Sequence, residues 1–326
     1  MKQNKKLISG IIAGIIGIVL ITIVGTLFLQ NDSNEKYDKV FFTLQGDNMV
    51  SSFPSEFNWA AGEKMTYVST NKNGFLVLAS SSASDTVFAF NGETGEEIDT
   101  FHVGETPKGV KIRPDGRFAF VANENSGSIT IIDLVLGIIH KEVPVGKNPH
   151  NIVFHPKEDL AFVTLQGDDS IAVINSKSFE KVDSIPVNGL PHNLDVSPDG
   201  SFLYVTNIST NDVAVIDLES KKIIKRIEVS TGHHGIDVSP DGKRIYVSGI
   251  GSDKVNVIDS ESLELIKQIT VGDGPHGLRV DPQGNNLYVG VTKSNEIVVI
   301  DIQSLEIVNK IDSGNIPFWI AIPGNP

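Results

Sequence analysis

Cysteine is absent from the 326 residues. This absence excludes disulfide frameworks, thiolate metal sites, thiol nucleophiles and a lipidated-cysteine tether. The short motifs of common catalytic machinery are missing too. There is no Gly-rich phosphate loop, G-x-S-x-G elbow, H-E-x-x-H helix or C-x-x-C-H attachment. No helix is predicted beyond the first thirty residues, and nothing marks a nucleophile. Positive charge is also scarce. Residues 30–326 carry all 40 acidic residues but only 24 of the 27 basic ones. Such a surface repels phosphate backbones, so no nucleic-acid partner is expected; it favours cations, basic partners or plain solubility.

Long apolar runs are confined to one place. Lys2, Lys5 and Lys6 precede an uncharged stretch of 23 residues, Leu7 to Leu29, with Asp32 and Glu35 after it. That length spans a bilayer with some tilt, and the lysines place the N-terminus in the cytoplasm. A cleaved signal peptide is the alternative, but the run exceeds a normal h-region and no small-x-small site follows in Thr26–Asn34. Residues 1–30 are therefore read as a cytoplasmic tip and single-pass anchor in the cytoplasmic membrane, and 31–37 as a linker. Residues 38–326 form an extracytoplasmic domain. N-x-S sequons at Asn31 and Asn207 are compatible with surface glycosylation.

The domain is a repeat. Val103, Val145, Val187, Val229 and Val271 lie 42 residues apart, as do Phe90, Ile132, Ile174, Ile216, Ile258 and Ile300. Six complete units begin at Gly62, Gly104, Gly146, Asn188, Ser230 and Gly272. Within a unit the hydrophobic period is two. In residues 188–229, strands are predicted at Asn193–Val196, Phe202–Asn207, Val213–Ile216 and Ile223–Val229, separated by Gly, Pro, Asn, Asp and Ser. Four short antiparallel strands per unit describe a propeller blade, which must stack on neighbours in a closed ring. Gly314–Pro326 restarts the unit for one strand, and Phe41–Asp47 echoes the second strand Phe162–Asp168. Residues 38–61 and 314–326 are thus expected to share a seventh blade. The fold class is all-β: a seven-bladed β-propeller of four-stranded blades, preceded by one transmembrane helix.

The segments Tyr204-Val-Thr-Asn207, Val205–Asp217 and Val196-Ser-Pro-Asp-Gly200 resemble the YVTN-family propeller repeat. That resemblance covers residues 38–326. It implies kinship with prokaryotic surface-layer and secreted proteins, and in fold with the haem d1 propeller and lactonase-type propellers. It implies little about activity, since propellers host binding, scaffolding and catalysis alike.

One constellation stands out. His150, His192, His234 and His276 share a repeat position just before the innermost strand, with Thr66, Lys108 and Phe318 in the other blades. Four imidazoles along one arc of the channel mouth would suit copper or zinc. Asp85, Asp169, Asn211, Asp253 and Asn295 share another position on that face and would orient the rings or start third strands as Asx turns. The alternative for the histidines is a duplicated structural residue that caps its loop. Lys108, Phe318 and Trp319 are candidates for ligand contact, and core packing at the closure is the other reading of the two aromatics. Asp133, Asp217, Asp259 and Asp301 are expected to cap turns.

The leading expectation is a non-enzymatic surface module with a protein or cell-envelope partner and no certain cofactor. Its rival is a copper or zinc propeller with redox or hydrolytic chemistry. A lactonase-like or haem-d1-like activity rests on resemblance alone.

Overall fold

The structure, a computed structural model, describes residues 39–54, 58–232 and 235–325. The expected anchor and linker, together with His233 and His234, lie outside the described residues. Among the described residues the chain forms seven four-stranded antiparallel sheets. Blades one to six are each continuous in sequence; blade four, for example, consists of Pro191–Val196, Phe202–Asn207, Asp212–Asp217 and Lys222–Glu228. Blade seven is composite. Pro317–Ala321 is its first strand and lies beside Val40–Leu44, followed by Met49–Phe53 and Asn58–Ala60. The first strand of each blade touches the first strand of the next around the full ring. The one helical element among the described residues is a 3-10 turn at Gln166–Asp168.

Burial explains the order of strands. First and second strands are sandwiched between neighbouring blades and buried on both faces, as in Pro149–Phe154, whereas the fourth strand Glu180–Pro186 is largely exposed and charged. The core is accordingly a series of inter-blade clusters rich in Val, Ile and Phe, and a blade on its own would leave both faces wet. The sequon at Asn207 does not reach the surface. That residue is fully buried and its Nδ2 donates to Asp212 Oδ1 at 2.7 Å, so it is not a surface acceptor for a glycan.

The inner strands carry a shared irregularity. Their pairing with the second strand shifts by one residue near its start, between Pro107 and Val110, Pro149 and Ile152, Pro191 and Leu194, and Pro275 and Leu278. Such a bulge leaves an N–H without a ladder partner. Where the second strand carries Ser or Thr at the facing position, its hydroxyl accepts it. Thr164 Oγ1 accepts from Asn151 N at 2.9 Å and donates to His192 O in the next blade, also at 2.9 Å. Ser80 does the same between Tyr67 N and Lys108 O, and Ser248 between Gly235 N and His276 O. Thr43 repeats it at the closure, accepting from Trp319 N and donating to Thr66 O. Blades two and six lack it: they have Ala122 and Gly290 at this position, and a Cβ on Gly290 would stand 2.9 Å from Pro317 O. Each hydroxyl ties its own blade to the following one.

Replacing Thr164 with Val keeps the shape but leaves the Asn151 N–H and the His192 carbonyl without this partner, both buried. The expected loss is about 1–3 kcal/mol in the urea-unfolding free energy, against under about 0.5 kcal/mol for Thr210→Val on the exposed loop.

Candidate functional site

The bulge brings the histidine position into the inner strand rather than into the loop before it. His150 and His192 are the second residues of Pro149–Phe154 and Pro191–Val196, and His276 that of Pro275–Val280. All three are buried, at 7%, 2% and 1% exposure. Their rings come together at the axis. His150 and His192 lie 4.1 Å apart between centroids, and His192 and His276 lie 6.2 Å apart, edge to face.

A chain of hydrogen bonds crosses the axis through them. Tyr67, in blade one, donates its hydroxyl to Asn193 Oδ1 in blade four at 3.0 Å, and the same oxygen accepts from Asn151 Nδ2 at 2.8 Å. Two donors on that oxygen fix the amide so that Asn193 Nδ2 faces His192 Nδ1 at 2.9 Å. His192 Nδ1 is therefore an acceptor. The Tyr67 hydroxyl, its proton spent on Asn193, faces His150 Nδ1 at 3.3 Å and accepts from it. His276 Nδ1 donates to Phe318 O at 2.9 Å. Burial pushes the Tyr67 phenol well above its ordinary value, keeping it protonated and able to donate.

The remaining predicted positions join the same layer. Thr66 Oγ1 bonds Ser80 Oγ at 2.9 Å. Lys108 pairs with Glu124 at 3.2 Å. Phe318 is half-buried and stacks on His276 at 4.1 Å, and Trp319 is buried against Tyr67 at 4.4 Å. His234 lies outside the described residues, and among those described no group of three or more His, Asp or Glu is placed to hold a metal ion.

The Asp and Asn set does not reach the imidazoles. Asp85 Oδ1 accepts from Thr106 N at 2.8 Å, Asp169 Oδ1 from Leu190 N at 2.8 Å, and Asn295 Oδ1 from Ile316 N at 3.0 Å. Each latches its blade to the opening loop of the next. Their backbones have φ near +50°, a conformation Asp and Asn tolerate, which accounts for the residue types better than metal chemistry does. Asp217, Asp259 and Asp301 cap their turns as expected, each accepting from a serine N–H three residues on.

Sequence reasoning missed a second layer. One further turn of alternation down the inner strand, Ser69, Lys111, Val153, Asp195, Asp237, Arg279 and Ala321 share a repeat position. Four charges thus face one channel. The signal was present as charged residues in the most buried strand of the repeat. Arg279 Nη1 pairs with Asp237 Oδ1 at 2.6 Å, both side chains almost wholly buried. Lys111 is 8% exposed. Burial and the Arg279 charge bring its ammonium down to about 7. Burial and the Asp237 charge raise the Asp195 carboxyl to about 7.

The Cytochrome D1 heme domain family matches residues 155–280. No curated protein matches the chain. Among solved structures, Kuenenia stuttgartiensis hydrazine synthase is 21% identical with a TM-score of 0.73, covering 90% of this chain and 93% of that one. A functionally unknown protein from Desulfotomaculum acetoxidans DSM 771 is 17% identical with a TM-score of 0.76, covering 88% and 99%. The dihydro-heme d1 dehydrogenase NirN in complex with DHE is 18% identical with a TM-score of 0.64, covering 90% and 77%. These likenesses bear out the propeller fold that the repeat implies.

The two shifted groups give stability a defined pH dependence. Between about 7 and the ordinary lysine value of 10.5, the unfolded chain holds a proton on Lys111 that the native state has lost, so stability rises with pH. Between the ordinary aspartate value of 3.8 and about 7, the native state keeps a proton on Asp195 that the unfolded chain has released, so stability falls as pH rises. Urea titrations at about pH 5, 7 and 9 are expected to show a minimum near neutrality. Lys111→Met flattens the alkaline limb and Asp195→Asn the acid limb.

Proposed function

We propose that this chain is a membrane-anchored, extracytoplasmic propeller that acts as a binding module for a protein or polymer of the cell envelope. The observation that carries this reading is the state of the histidine layer. Its rings and hydroxyls are engaged with one another and with backbone across the axis, which makes a rigid hub and leaves the loops and acidic rim as the working surface. The apolar run Leu7–Leu29 supplies the tether in this reading, and the positive-inside bias supplies the orientation. An acidic surface suits a basic partner.

A d1-type haem is the cofactor that the family match would imply, and the described residues along the axis do not fit it. At the histidine level the axis is filled by Tyr67, Trp319 and the two asparagines. Lys108, the cation of that ring, is already paired with Glu124. The cavity at the other end of the channel measures about 230 Å³, below the roughly 300–1,000 Å³ of ordinary cofactor pockets. Copper or zinc held by the arc gains no support either, because among the described residues no group of three or more His, Asp or Glu is placed to hold a metal ion.

Two measurements test the reading. The full chain in detergent, dialysed separately against copper and zinc, is expected to retain only sub-stoichiometric metal, unchanged in a His192→Ala, His276→Ala double variant. It is also expected to co-sediment with isolated cell envelopes and to be released by high salt. A stoichiometric metal that the double variant loses, or no association with envelopes at low salt, overturns the proposal.

A further inference from the structure

Opposite the histidines, the ends of the inner strands of blades two to six and the C-terminal segment line a half-open cavity of about 230 Å³ on the axis. Its rim carries Pro156, Pro198 and Pro240, and its apolar wall includes Val153, Phe154 and Val238. Asn325 closes one side, its Nδ2 bonded to Val280 O at 2.8 Å and Asp237 Oδ2 at 3.1 Å. Lys111 and Asp195 line this space.

The four charges of the channel divide into a closed pair and an open pair. Asp237 is closed: Oδ1 takes Arg279, and Oδ2 takes Val280 N at 2.7 Å together with Asn325. Lys111, more than nine-tenths buried, has no hydrogen bond or ion pair among the described residues. Asp195 accepts two backbone N–H groups, Val196 at 2.9 Å and Val238 at 2.8 Å, and has no cation partner among the described residues. A carboxylate has about four acceptor sites, so roughly half of its capacity is still open. Lys111 and Asp195 are near enough for each charge to act on the other but make no direct ion pair, and burial disfavours the charged form of each until a direct partner meets it.

We propose that this axial cavity binds a small zwitterion with an apolar body, of the size of an aliphatic α-amino acid, whose carboxylate meets Lys111 and whose ammonium meets Asp195. A simple anion would satisfy Lys111 and bring a second negative charge beside Asp195 and Asp237. A simple cation would do the reverse beside Lys111 and Arg279. A molecule carrying both charges satisfies both groups, while its aliphatic part lies against the valines, Phe154 and the proline rim, none of which offers a hydrogen-bond donor to compete. The cavity is small by the standard of drug-sized pockets, which again selects a ligand of a few heavy atoms. The site is separate from any envelope-binding surface and stands without it.

Isothermal titration calorimetry and thermal melting of the purified full chain, with L-valine, L-leucine and L-proline as probes, test the proposal. At least one is expected to bind and raise the Tm. For L-leucine, the one-charge fragments 4-methylpentanoate and isoamylamine are expected to bind about tenfold more weakly or worse. Lys111→Met and Asp195→Asn are each expected to melt cooperatively and to abolish the response. A second readout needs no variant: in protein carrying ¹³Cε-lysine, the Lys111 signal is expected to move on addition of the bound amino acid. Absence of binding by all three amino acids, fragments that match the parent, or an unchanged response in both variants overturns the proposal. Because the purified chain is tested without envelopes or metal, the outcome is independent of the binding-module reading.

Discussion

The ring holds together through a small defect repeated in its innermost strands. A bulge releases one backbone N–H from the ladder, and in four blades a Ser or Thr on the adjacent strand accepts it while donating to a carbonyl of the following blade. Backbone polar groups buried between sheets must be paired, and here the pairing is made across the joint between blades rather than within one. Apolar surface drives the blades together without direction. The hydroxyls and the αL Asp and Asn latches fix how far each blade turns relative to the last, which is what allows the composite blade to close.

That same bulge shapes the channel. With two residues opposite one, both the histidine position and the residue after it reach the axis, so Tyr67 can bond Asn193 from three blades away. The upper layer becomes a hydrogen-bonded, ring-stacked hub. Farther along, regular alternation resumes and delivers Ser69, Lys111, Val153, Asp195, Asp237 and Arg279 to the lower layer. The two ends of the channel therefore differ in kind. One is filled and mutually satisfied, the other partly open with two charges facing a cavity.

The division has a consequence for how a propeller of this type is used. A hub whose polar groups are satisfied by one another resists distortion and supports loops at its rim as a rigid platform. A pair without direct partners at the far end is retained at a cost to stability, and groups shifted in this way cluster at functional sites. The two shifted groups, a lysine lowered and an aspartate raised, are the physical expression of that cost.

The sequence alone determined the number and length of the blades, because a strict 42-residue spacing of Val and Ile leaves no other periodic solution. It also showed the composite joint, through the echo of Phe162–Asp168 in Phe41–Asp47, and the turn-capping role of Asp217, Asp259 and Asp301, since each of these is a local pattern. Which histidines meet, and through which nitrogens, was decided by the tertiary structure, as was the role of Asp85, Asp169 and Asn295 as latches rather than ring orienters. The open Lys111 and Asp195 pair belongs to the same class. Spacing places residues at equal positions in separate blades, but contacts across an axis depend on the curvature and tilt of the whole ring, and no single repeat contains that information.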